Sequence, residues 1–159
     1  MDEAFKKLLD KVNKVRASGS YDLSMEEDLS IAIMNLISLE EHFYFTGEKT
    51  HKGEYFDLLV EAREIRKQLL GRLVDKHEGE TWCASKHLLA ATMRLIETGT
   101  KLQADGKREE AQTTFDQAYK LYTMFWGLRL KLVELPVKKG DTPMTYEDIM
   151  SSLVDCCKE

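Results

Sequence analysis

Two charged residues stand where apolar helical stripes call for leucine: Glu40, in line with Leu29, Ile33 and Leu36, and Arg66, among Leu59, Ala62, Leu69 and Leu73. At 100° per residue both side chains point inward. Arg129 falls in the same way among Tyr122, Phe125, Leu132 and Val133. A lone charge in an apolar interior costs several kcal/mol, so each needs a partner, a water-filled pocket or a ligand. Tyr119 and Tyr122 lie near the level of Arg66 and offer it hydroxyl acceptors, and Glu26 lies near Arg129. Glu40, Arg66, Tyr119, Tyr122 and Arg129 are therefore the candidate ligand-binding residues, on one inward polar seam. The plainer reading, preferred, is that these side chains snorkel or form structural ion pairs.

Metal chemistry has weaker support. Cys83 and His87, four residues apart, offer a thiolate and an imidazole, but they project with Arg94 and Lys101 toward solvent or a terminal helix. Cys156 and Cys157 add no CxxC spacing, and two ligands do not make a zinc site. The Glu-x-x-His spacing of di-metal bundles occurs at Glu48 and His51, in a turn and not on an inward face. No glycine-rich phosphate loop and no GxSxG elbow is present. The expectation is no metal and no cofactor.

Arg72 and His77 have an Arg-x4-His spacing that resembles the HEPN family of helical-bundle ribonucleases. That resemblance implies a dimer in which an Arg polarises phosphate and a His moves a proton at a bundle cleft. Leu73 stands where the family favours a polar residue. The preferred reading is a solvated last helical turn whose charges complement the helix dipole.

The elements that must position these residues are all helical. Phe5, Leu8, Leu9, Val12 and Val15 predict a helix over 2–17 that ends at Gly19. Ser24 with Glu27 reads as a capping box opening a helix over 24–46, with Gly47 as its stop. A third helix, 53–76, buries Tyr55, Leu58, Leu59, Ala62, Ile65, Leu69 and Leu73. A fourth, 81–104, carries the small residues Ser85, Thr92 and Gly99 at seven-residue spacing between two apolar flanks. The fifth, 107–134, turns Ala111, Phe115, Ala118, Tyr122, Phe125 and Leu132 inward, and a Thr145 cap starts a last helix over 146–156. Long helices with short connections imply one all-α domain over 1–159, an antiparallel four-helix bundle with short terminal helices over its open sides. With a turn at Gly47 to Thr50, Glu40 stands opposite Leu58 and Arg66 opposite Ala32, about 12 Å apart along the axis. No direct Glu40 to Arg66 pair is expected.

Gly99, Ala111, Phe115 and Ala118 resemble the small and aromatic positions of one tetratricopeptide hairpin. No second copy follows, and ordinary close packing of a helix pair is the better account. The 159 residues suffice for one continuous core, and the net charge of −5 argues against non-specific nucleic-acid binding. Acids at Asp2 and Glu3 and the lack of an apolar run predict neither signal peptide nor membrane span, and three cysteines without a disulfide framework suit the cytoplasm. In the stretch of Tyr119, Tyr122, Met124, Phe125 and Trp126, Met124 and Trp126 cannot both share the buried face with Phe125, which leaves one apolar side chain for a protein partner or a second copy. The functional expectation is an interaction or regulatory module, not a catalyst. The alternative is a small-ligand-binding or HEPN-like ribonuclease bundle using the inward charges or Arg72 and His77.

Overall fold

Amphipathic periodicity of 3.6 residues, punctuated by a few strong caps, produces five helices among the described residues. They are α1 (Glu3–Ser18), α2 (Leu23–Thr50), α3 (Glu54–Leu73), α4 (Glu80–Ala104) and α5 (Arg108–Arg129). A computed structural model describes residues 3–74 and 80–133, and these are all-helical with short connections. The expected last helix over 146–156, Cys156, Cys157 and His77 lie outside the described residues. Among the described residues no helix is long and apolar enough to cross a membrane.

The helix ends differ from expectation in informative ways. Asp22 caps α2, its carboxylate accepting from the Met25 amide at 3.1 Å, and Ser24 falls inside the first turn. An aspartate two positions earlier caps the amides and also complements the helix dipole with its charge. Gly47 does not stop α2. The helix runs one turn further to Thr50, where His51 closes it at φ 55° with its amide bonded to the Gly47 carbonyl. A Cβ on Gly47 would meet the Phe56 ring at 2.8 Å, so this glycine is a notch for a neighbouring ring. α5 ends at Arg129, short of the expected 134, because Lys131 turns left-handed at φ 54°. The Leu132 amide then bonds the Gly127 carbonyl at 2.9 Å and the Lys131 amide bonds that of Leu128 at 3.0 Å. That pattern satisfies the last carbonyls and leaves Val133, expected inward, exposed.

α2 packs antiparallel on α3, α4 packs antiparallel on α5, and the two hairpins meet where α2 contacts α4. Ile33, Met34, Leu70, Leu73, Trp82, Cys83, Leu89 and Phe125 form the core between them. The small-residue stripe of α4 is buried throughout, at Ser85, Thr92 and Gly99. At Gly99 a Cβ would meet Phe115 at 2.5 Å, so close approach of α4 and α5 depends on the missing side chain. Leu58 and Ile65, expected inside, are exposed. α3 has an extended interface with α2 alone, which narrows its buried strip to Ala62, Arg66, Leu70 and Leu73. Leu8 and Leu9 of α1 also remain exposed, and α1 shares no extended interface with another described helix, so it does not cover the other helices as expected.

Replacing Gly99 with alanine sets a helix-propensity gain of about 1 kcal/mol against an overpacking cost of about 1–3 kcal/mol. A net loss of about 1 kcal/mol is expected from urea denaturation, with Phe115→Leu in the same chain restoring part of it. Unchanged or raised stability in Gly99→Ala would show that the ring yields freely.

Candidate functional site

The register of the α2–α3 hairpin decides the site. Seven residues before Gly47 is Glu40 and seven after Phe56 is Arg63, so the contact that seats Phe56 in its notch also sets Glu40 facing Arg63. Arg66 lies one turn further along the same face of α3. Its Nε donates to Glu40 Oε1 at 2.8 Å and its Nη2 to Oε2 at 3.3 Å, while Arg63 Nε donates to Oε2 at 2.9 Å. Glu40 and Arg66 are only 7% and 2% exposed, whereas Arg63 is half-exposed. The expected separation of Glu40 and Arg66 is therefore wrong. It assumed that α2 stops at Gly47, and the added turn slides the two levels together.

Both oxygens of the buried carboxylate are thus occupied, one of them twice. Fork-like guanidinium donors suit this task because their geometry matches a carboxylate in two bonds. Such a pair contributes little net stability over an apolar substitute, but losing one partner strands a buried charge.

The remaining seam residues go elsewhere. Ser30 Oγ donates to the Glu27 carbonyl at 2.7 Å and shares a second 2.7 Å hydrogen bond with the Tyr122 hydroxyl. With the serine proton committed, the tyrosine is the donor. Arg129 Nη2 donates to Glu26 Oε1 at 2.7 Å, and its Cζ sits 4.7 Å above the Tyr21 ring. These two contacts tie α5 to the first turns of α2. Tyr119 is 71% exposed and faces no core group. It stands about 100° round the helix from the centre of the buried strip of Ala111, Ala118 and Phe125, beyond its edge. The inward seam is consequently three separate contacts along α2, of which that of Glu40 and Arg66 borders a large cavity.

That cavity is a cleft of about 700 Å³, lined chiefly by Ile37, Glu40, Arg63, Arg66, Lys86 and Arg94. α3 and α4 each pack on α2 but share no extended interface among the described residues, and the gap between them over α2 is the cleft. Tyr44, Phe45 and Glu41 of α2, Leu59 of α3 and His87 of α4 complete its walls. Arg94 Nη2 donates to Ser38 Oγ at 2.7 Å, and its Nη1 is 3.6 Å from Glu41 Oε2.

Sequence reasoning did not single out Arg63 or Lys86, and it set Arg94 toward solvent or a terminal helix. Arg63 carried a usable signal, one helical turn from Arg66 and so able to reach the same acceptor.

Cys83 and His87 part company. Cys83 is 3% exposed inside the core, whereas His87 is exposed in the cleft, and no cluster of three metal-ligating residues occurs among the described residues. The first turns of α4 are buried on both flanks, which turns Cys83 into the core. Glu48 and His51 lie exposed at the end of α2. Arg72 is exposed on the last turn of α3, its Nη2 3.8 Å from Met25 Sδ.

Arg66→Met leaves Glu40 buried with the half-exposed Arg63 as its remaining partner, and a loss of about 3 kcal/mol is expected in urea unfolding. Adding Glu40→Leu to that variant is expected to return most of the loss, since an apolar pair needs no counter-charge. Additive losses in the double variant would mean that the two side chains do not act as a pair. No protein-family model, curated protein or solved structure matches this chain.

Proposed function

We propose that this chain is a non-catalytic binding module, a four-helix bundle that receives a ligand in the cleft between α3 and α4. The observation that carries the reading is a charge cluster of two guanidiniums on one buried carboxylate, Arg63 and Arg66 on Glu40, laid along a cleft of about 700 Å³. Sites for small molecules fall in the range of about 300–1,000 Å³, with mainly apolar walls and a few convergent polar groups. Ile37, Leu59, Ala90, Tyr44 and Phe45 supply such walls, and the charges converge from three helices. Side chains held in place by one another bind without paying for their ordering at that moment.

Catalysis has less support. Glu40 is engaged by two guanidiniums and is poorly placed to accept a substrate proton, and His87 has no serine or cysteine beside it in the lining. The Arg72 and His77 ribonuclease reading draws nothing from the described residues. A regulatory role follows naturally if the ligand reports on cell state, and a cytoplasmic setting suits a chain with three cysteines and no disulfide framework.

Ala90 lines the cleft from α4 and is half-buried, so Ala90→Trp fills the space without removing a core side chain. Protein incubated with a cell metabolite extract, washed and analysed by native mass spectrometry is expected to retain a small molecule in the wild type and lose it in Ala90→Trp. Thermal unfolding of the variant should stay within a few degrees of the wild type, which separates blocking from misfolding. Retention of the same molecule by both proteins, or of none by either, would sink the proposal.

A further inference from the structure

We infer that the cleft takes a single-phosphate ligand on a flat aromatic body, of about mononucleotide size, with the phosphate between Arg63 and Arg94. This rests on reading the cleft as a binding site and adds the chemistry of what it binds.

Charge is the first support. Among the described residues four cations, Arg63, Arg66, Lys86 and Arg94, line the cleft beside two carboxylates, Glu40 and Glu41, in a chain whose net charge is −5. Cations thus outnumber carboxylates in that lining, against the balance of the chain. Low-dielectric walls concentrate such a local field, so an anion small enough to enter feels the cations more than the acidic exterior. A long polyanion would also meet that exterior, which favours one phosphate over a nucleic-acid strand.

Donor geometry is the second. Arg63 stands on α3 and Arg94 on α4, on opposite sides of the gap, and both side chains are half-exposed. Arg63 is anchored through Nε to Glu40, which leaves the Nη end of its fork directed away from that bond. Arg94 is anchored through Nη2 to Ser38, while its Nη1 contact to Glu41 is long at 3.6 Å. An incoming phosphate replaces that loose contact at little cost. Guanidiniums held at one end present pre-ordered donors, the arrangement that suits phosphate oxygens.

Shape is the third. Tyr44 and Phe45 are exposed at the cleft and meet edge to face, ring centroids 5.2 Å apart, with Ile37 and Leu59 completing the apolar wall. Exposed rings beside a cationic pocket offer a face for a planar group.

Isothermal titration calorimetry with AMP, phenyl phosphate, inorganic phosphate and adenosine tests the inference. AMP or phenyl phosphate is expected to bind at least about tenfold more tightly than inorganic phosphate and adenosine, because only these probes fill both halves of the site. Arg63→Ala and Arg94→Ala are each expected to weaken that binding about tenfold or more. Tyr44→Ala with Phe45→Ala should bring the aromatic phosphate down to the level of inorganic phosphate. The inference is overturned if adenosine binds as well as AMP, or if both arginine variants bind AMP like the wild type. It is equally overturned if no phosphate probe binds while the metabolite extract yields an uncharged molecule lost in Ala90→Trp, an outcome that leaves the binding-module reading standing. Absence of any ligand in both experiments overturns the two together.

Discussion

A carboxylate that is 7% exposed must keep its counter-charge, and in this protein that requirement constrains how α2 and α3 meet. Sliding α3 by one turn would place an apolar residue opposite Glu40 and carry the charge of Arg66 into the core without a partner. Either costs several kcal/mol, on the scale of a whole domain's stability. A buried ion pair of this kind contributes more to choosing one register than to lowering the energy of the chosen one. The notch at Gly47 acts in the same direction, because Phe56 fits only where no Cβ intervenes. Charge and shape thus select a single alignment of the hairpin.

From that alignment the cleft follows. α2 contacts α3 along its length, meets α4, and reaches α5 through the Ser30 and Glu26 hydrogen bonds. α4 commits its small-residue stripe to α5, where Gly99 admits Phe115, and so leaves a gap toward α3. A gap walled by helices and lined with arginines that are already tethered is well suited to binding, since little remains to be ordered when a ligand enters. The acidic net charge of the chain gives no hint of it, because the surplus of cations is local.

Much of the local structure was legible in the sequence. Periodicity placed the described helices to within a few residues at most ends, and it showed that Glu40 and Arg66 turn inward, since the direction of a side chain about its own helix axis depends on spacing alone. The nearness of Glu26 and Arg129 was read from their levels across two helices, and that estimate held here, at 2.7 Å, where the one for Glu40 and Arg66 did not. Errors gathered where one signal has two physical meanings. Gly47 reads as a helix stop, yet a missing Cβ serves a close contact as well as a left-handed turn. Cys83 and Tyr119 were misjudged because their helices are covered over arcs of different width, and coverage depends on how many neighbours pack alongside.

By itself, then, the sequence determined the five helices of the described residues, most of their inward positions and the need for the buried charges to find partners. Tertiary structure alone decided that Glu40 meets Arg63 and Arg66, that Cys83 lies in the core, and that Arg63 and Arg94 face a common space. Helical periodicity records angles within one element, whereas pairing across elements depends on where the turn falls. An error of a few residues there displaces the partners by several ångströms, at about 1.5 Å per residue, more than a hydrogen bond can span.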